Sequence, residues 1–127
     1  MTEAPDERPP IWVGHVLLFV ADLARAKSFF LGIGMRDAEP DASVGVLELR
    51  GGTHLLLLPS TSPIVPGTRA PFDLMVDDID AAHRDYAAKG LSPTEIRGGR
   101  IHDSFELPGP GGWTFTVNSS HASDQPV

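Results

Sequence analysis

The sequence predicts an α+β domain built from two copies of one β-α-β unit with further strands, and three observations carry that prediction. The first is a repeat at an offset of 56 residues, which sets Val20 on Val76, Asp22 on Asp78, Leu23 on Ile79, Ala26 on Ala82, Phe30 on Tyr86, Gly34 on Gly90 and Met35 on Leu91. The second is a change of hydrophobic period in each copy: a strand-like run ends at an Asp, and apolar residues then recur at helical spacing. The third is that the later parts of the copies also match once gaps are allowed. Glu48-Leu49 falls on Glu106-Leu107 at offset 58, and Gly52 on Gly112 and Leu55-Leu56-Leu57 on Phe115-Thr116-Val117 at offset 60. Identities are few, but order and physical character agree along both halves, which is how a duplicated supersecondary unit shows itself.

The elements follow in chain order. Residues 1–11, opening "MTEAPDERPP", are acidic and proline-rich and read as a disordered lead, with neither the basic start nor the apolar core of a signal peptide. Residues 12–59 are module one. Its first strand runs about 13–20, Asp22 is the N-cap of a helix, and Leu23, Ala26, Phe29, Phe30 and Ile33 form the apolar stripe of that helix. Gly34 stands where a left-handed C-cap favours glycine, and "VGVLELR" and "THLLLLP" follow as strands. The linker, 60–70, carries prolines and a glycine. Module two, 71–120, repeats the plan: a strand at 71–76, Asp78 as N-cap, Ile79, Ala82, Tyr86 and Ala87 on the helix, Gly90 as C-cap, then "SPTEI", "HDSFELP" and "WTFTVN" as strands. Residues 121–127 read as a disordered tail.

Bulk composition excludes several classes. At 127 residues with 41% hydrophobic and 21% charged side chains, the chain supports one domain with its own core. The absence of cysteine removes disulfides, zinc ribbons and thiol nucleophiles, and is compatible with a cytoplasmic protein. A formal net charge of −7 with no basic run argues against nucleic-acid binding, where phosphate neutralisation dominates affinity. The apolar run "VLLFVA" falls far short of the roughly 20 residues that span a bilayer, so no membrane partner is expected.

With "HVLLFVADLARAKSFF", "FFLGIGM", "FDLMVDDIDAAHRDYAAKG" and "FELPGPGGWTFTV" in this order, residues 12–120 resemble the vicinal oxygen chelate superfamily. That superfamily groups glyoxalases, bleomycin-resistance proteins and extradiol dioxygenases. The resemblance implies tandem βαβββ modules forming half-barrels around one pocket, and a homodimer. It also implies up to four metal ligands, one each on the first and last strand of either module. Carried onto this sequence, those positions are His15, Leu56, Pro71 and Thr116. Only His15 is a competent ligand, and one imidazole does not hold a catalytic divalent ion. No cofactor is therefore expected, with a divalent metal as the alternative.

Strand alternation groups the remaining candidates. His54 shares a face with Leu56 and Leu58, Asp73 with Pro71 and Met75, and Thr114, Thr116 and Asn118 share a third. His15, His54 and Asp73 make a two-histidine, one-carboxylate set suited to a relocated metal site. Against it, His54 is expected to begin an edge strand near solvent, and Asp73 has Arg69 or a backbone donor as an alternative partner. His102 is a candidate general base at the pocket mouth, or a surface histidine. Glu48 and Glu106, matched by the repeat, suggest a shared structural role. "RGGR" at 97–100 suits an anion clamp or a solvated turn, and His83 is read as facing solvent. "SSH" at 119–121 lacks the elbow of a serine hydrolase, and "GIG" at 32–34 follows a helix where a dinucleotide motif follows a strand.

Two functions compete. One is a binding protein for a small organic molecule, with Leu17, Phe19, Leu56, Leu58, Pro71, Met75, Thr114 and Thr116 lining the pocket and His15, His54, Asp73 and Asn118 as polar anchors. This is how the bleomycin-resistance branch is expected to act, sequestering a compound without chemistry. The other is a divergent enzyme of lyase, isomerase or dioxygenase type, using a relocated metal or acid–base chemistry by His15, Asp73 and His102. Three of the four ligand positions hold Leu, Pro and Thr, which favours the first.

Overall fold

The computed structural model describes residues 5–120 and 124–127. Both helices begin and end by the same local chemistry. α1 (Leu23–Gly32) starts where the Asp22 carboxylate accepts the Arg25 N–H at 3.1 Å, and α2 (Ile79–Ala88) where Asp78 accepts the Ala81 N–H at 2.9 Å. Each satisfies one of the donors that a helix start leaves without an intrahelical partner. At the other end Gly34 and Gly90 take φ of 112° and 75°. The following amides then reach back, Met35 N–H to Phe30 O at 3.1 Å and Leu91 N–H to Tyr86 O at 3.0 Å. Glycine is required there because a Cβ is strained in that left-handed conformation.

Sheet one runs in the order β1 (His15–Val20), β4 (His54–Pro59), β3 (Gly45–Glu48), β2 (Arg36–Asp37), with β1 parallel to β4 and the other pairs antiparallel. Sheet two centres on β8 (Trp113–Ser119). β7 (Ser104–Pro108) pairs it antiparallel on one side, and β5 (Thr68–Arg69) and β6 (Leu74–Val76) pair it parallel on the other. Leu18 lies opposite Leu57 in sheet one and Leu74 opposite Val117 in sheet two. Those are the same places of the repeat.

Three sequence expectations change. β5 falls inside the stretch read as linker. The strand read at 71–76 is broken: seven residues from Thr68 to Leu74 face only five on β8, from Trp113 to Val117. Pro71 sits in that bulge, where its missing N–H is tolerated. "SPTEI" forms no regular strand. Thr94 bonds Glu106 through its amide and hydroxyl, Arg97 bridges Ser104, and Ser92 takes φ of 57°.

The match of Glu48 to Glu106 is also corrected. Glu48 lies opposite His54, whereas Glu106 lies opposite Thr116 and Val46 opposite Leu56. The Gly51-Gly52 and Gly111-Gly112 turns, all at positive φ, hold one offset of 60 across both hairpins. Glu106 therefore corresponds to Val46, and Glu48 to Pro108. The shared Glu-Leu pair was coincidence, and the turn length decides the register.

Alternation sorts the strands into two faces. Leu18, Val20, Leu47, Leu55, Leu57, Phe105, Leu107, Phe115 and Val117 are buried and form the core with Ala26, Phe30, Ile79 and Tyr86 of the helices. The modules interlock here. The Phe115 ring of module two meets Phe30 of α1 edge-on at 5.4 Å and stacks on Phe29 at 6.3 Å. Trp113 Nε1 also donates to Phe19 O at 2.8 Å, and Lys89 Nζ to Gly32 O at 2.7 Å. The other face of each sheet, opposite the core, carries every strand position proposed from the sequence as a site residue.

Candidate functional site

On module one the site face divides along the strands. His15 and His54 open β1 and β4 side by side, with ring centroids 6.0 Å apart. His54 Nε2 lies 3.4 Å from Glu48 Oε1, and Arg36 Nη2 donates to Glu48 Oε2 at 2.6 Å. Beyond this polar end the face is apolar: Leu17, Phe19, Val46, Leu56 and Leu58. Leu17 and Phe19 are 47% and 52% exposed, which is unusual for side chains so large.

Module two reverses the pattern. Asn118 Nδ2 donates to Asp73 Oδ2 at 2.9 Å, and Thr116 Oγ1 lies 3.1 Å from both oxygens of Glu106. A cavity of about 460 Å³ opens over them, lined by Arg69, Ala70, Pro71, Phe72, Asp73, His102, Thr116 and Asn118. Arg69 does not reach Asp73; its guanidinium stands 3.9 Å from Glu106 and is mostly exposed. Asn118 is the buried polar residue of the set at 4% exposure, and its Oδ1 accepts no hydrogen bond. The Asp73 contact fixes which way the amide points, since its NH₂ must face the carboxylate.

The structure thus brings Asp73, Thr116, Asn118, Pro71 and His102 together around one cavity, and His15 with His54 at the start of two paired strands of the other sheet. Thr114 and Met75 lie on the same face as the cavity residues without lining it, and Met75 is half exposed. Sequence reasoning missed Arg69, which lines the cavity, and Glu106, which holds the Thr116 hydroxyl beside it. The wrong offset hid Glu106, and the linker reading hid Arg69. It also misread His83, whose ring packs edge-on against Phe105 at 5.2 Å with Nε2 2.9 Å from Thr94 O. His121 of the "SSH" stretch lies outside the described residues.

The four expected ligand positions do not fit a divalent ion. Leu56 and Pro71 offer no donor atom, and the Thr116 hydroxyl is engaged by Glu106. The relocated set fails as well. Among the described residues no three His, Asp or Glu side chains converge to hold an ion, and Asp73 is tied to Asn118 rather than grouped with His15 and His54. No described helix is long and apolar enough to cross a membrane.

Two modules of this topology, with their site faces turned away from the helices, define the fold class, and sequence comparison agrees. The chain belongs to the Glyoxalase/Bleomycin resistance protein/Dioxygenase superfamily, whose pattern it matches over residues 12–117. No match was found among curated proteins. Solved structures similar in fold include a lactoylglutathione lyase from Agrobacterium tumefaciens, 18% identical with a TM-score of 0.69, covering 90% of this chain and 97% of that one. The oxidase ChaP-H2 is also 18% identical, with a TM-score of 0.69 and coverage of 88% and 95%. TnmS3, an antibiotic binding protein from Streptomyces sp. CB03234, is 20% identical with a TM-score of 0.74, covering 88% and 98%. At these identities the likeness is one of fold, and the fold hosts lyase, oxidase and binding protein alike.

Proposed function

We propose that this protein binds a small organic molecule on the site face of its sheets, without the divalent metal that serves the enzymes of the superfamily. The observation that carries the reading is the fate of the ligand positions. Leu56 and Pro71 cannot coordinate, Thr116 is bonded to Glu106, and what replaces the site is a cavity of about 460 Å³ with a few convergent polar groups. Concave sites of that kind suit ligand binding. The antibiotic-binding neighbour TnmS3 is consistent with it.

Metal content by plasma mass spectrometry, on tag-free protein purified without chelator beside His15→Ala, tests the proposal. Background metal in both proteins is expected. Near-stoichiometric metal that disappears in the variant overturns it.

An enzymatic reading draws on one observation, the His54–Glu48 contact with His15 on the next strand, a histidine–carboxylate pair of the kind used in proton transfer. His102 lines the cavity of module two, which His15 and His54 do not line, so His15 and His102 are not members of one catalytic set in this reading. A homodimer belongs to the same proposal. Ile11, Trp12, Val13, Leu17, Phe19 and Met75 are all exposed, and apolar surface of this extent is what a second copy covers. Light scattering that reports twice the chain mass of 13.6 kDa is the expected result.

A further inference from the structure

The repeat gives His15 two different counterparts. Counting along the chain at offset 56 leads to Pro71. The sheets lead elsewhere. His15 lies opposite His54 on β4, His54 corresponds to Thr114 at offset 60, and Thr114 lies opposite Arg69 on β5. The two extra residues of the bulge account for the difference. Partners in register on neighbouring strands share a face, and Arg69 accordingly lines the cavity of module two. Where module one presents an imidazole to the site face, module two presents a guanidinium.

That guanidinium is uncommitted. Arg8, Lys27, Arg36, Arg50 and Lys89 each hold a carboxylate at 2.6–2.8 Å. Arg69 stands 3.9 Å from Glu106, beyond hydrogen-bond reach, and its side chain donates to none of the described residues. Around it Asn118 is spent on Asp73, and the Thr116 hydroxyl on Glu106. The hairpin that carries His102 to the cavity wall also carries Arg97 and Arg100, neither of them ion-paired among the described residues. A chain of net charge −7 thus gathers unpaired positive charge beside one cavity. We propose that the cavity of module two receives the carboxylate of a small organic acid, held by the Arg69 guanidinium, with the body of the molecule against Pro71 and Phe72. Asp73 repels that carboxylate and so turns it toward Arg69. This rests on the small-molecule reading above and names the chemistry of its ligand. The planar fork of an arginine meets a carboxylate with two parallel hydrogen bonds, which gives geometric selectivity as well as attraction.

The test titrates the full-length, ¹⁵N-labelled chain with benzoate, benzamide and benzamidine in about 150 mM salt, where long-range attraction and repulsion are screened. Benzoate is expected to shift the amide signals of Arg69, Asp73 and Thr116. It should bind at least about threefold more tightly than the neutral benzamide, since a charged pair open to solvent is worth less than a buried one, with benzamidine weakest. Arg69→Gln alters an exposed side chain without touching the core, and is expected to remove the preference while benzamide still binds. Arg25→Gln is the control, an exposed arginine with no ion pair among the described residues and no place in this cavity; the preference should survive it. Equal affinity for benzoate and benzamide, a preference that outlasts Arg69→Gln, or one that Arg25→Gln removes as well, overturns the inference and leaves the small-molecule reading intact. Failure of all three probes to perturb the site face of either module removes both.

Discussion

Phe115 is the point where the two modules hold each other, and replacing it with alanine is the sharpest test of the architecture. The side chain is fully buried, with Phe30 5.4 Å away edge-on, Phe72 at 5.5 Å and Phe29 at 6.3 Å. Removing a buried phenyl ring costs about 3–5 kcal/mol, the transfer free energy plus the cavity left behind. That is a large part of the roughly 5–15 kcal/mol that keeps a domain folded. Phe30→Ala falls in the same range. The aromatic pair is worth about 0.5–1.5 kcal/mol beyond its buried area, so the double variant should lose less than the sum of the singles by about that amount. Urea unfolding, followed in parallel by tryptophan fluorescence and far-ultraviolet circular dichroism, measures all four proteins. Trp113 lies in module two and both helices contribute to the dichroism, so the two signals should move together. A loss under about 1.5 kcal/mol for Phe115→Ala, or separate transitions in the two probes, would refute the view that the modules fold as one unit.

Three further outcomes follow from local geometry. Asp22→Ala and Asp78→Ala should each cost about 1 kcal/mol in urea unfolding, with Asn recovering most of it, since a single side-chain acceptor caps each helix. Gly45→Ala should cost about 1–3 kcal/mol, because a Cβ there meets Leu57 Cδ1 at 2.8 Å and Leu57 Cβ at 2.9 Å in a closed core. Burial raises the Tyr86 phenol above its ordinary 10.0, and Asp85 adds a smaller push. The folded state thus holds that proton more tightly than the unfolded one. The resulting stability is complete below pH 10 and is lost as pH rises through the raised value; urea midpoints measured across alkaline pH should fall more steeply for the natural chain than for Tyr86→Phe.

What was legible in the sequence is what local chemistry decides. The Asp caps, the closing glycines and the alternation that turned Leu18, Leu55, Leu57, Phe115 and Val117 to the core all follow from residue types at short range. The same alternation placed His15, His54, Asp73, Thr116 and Asn118 on the face away from the helices. Pairing partners are another matter, because a register is fixed by turn length and by the far strand. Glu106 was matched to Glu48 by a two-residue likeness, when equal glycine turns set it beside Val46. Convergence in space was beyond reach for a related reason. His15, His54 and Asp73 share the site faces, yet among the described residues they do not come together as one group, because the two histidines lie on sheet one and Asp73 lies beside β8 of sheet two.

The bulge around Pro71 has a further consequence, for solubility. β5 and β6 form the outer edge of sheet two, and an unbroken edge strand offers its free N–H and C=O groups to any neighbouring chain. Here the edge is cut into pieces of two and three residues, with a residue between them that cannot donate and a carboxylate at Asp73 two residues on. Pro71 and the break it sits in thus leave the sheet with a border on which no fibril can easily start.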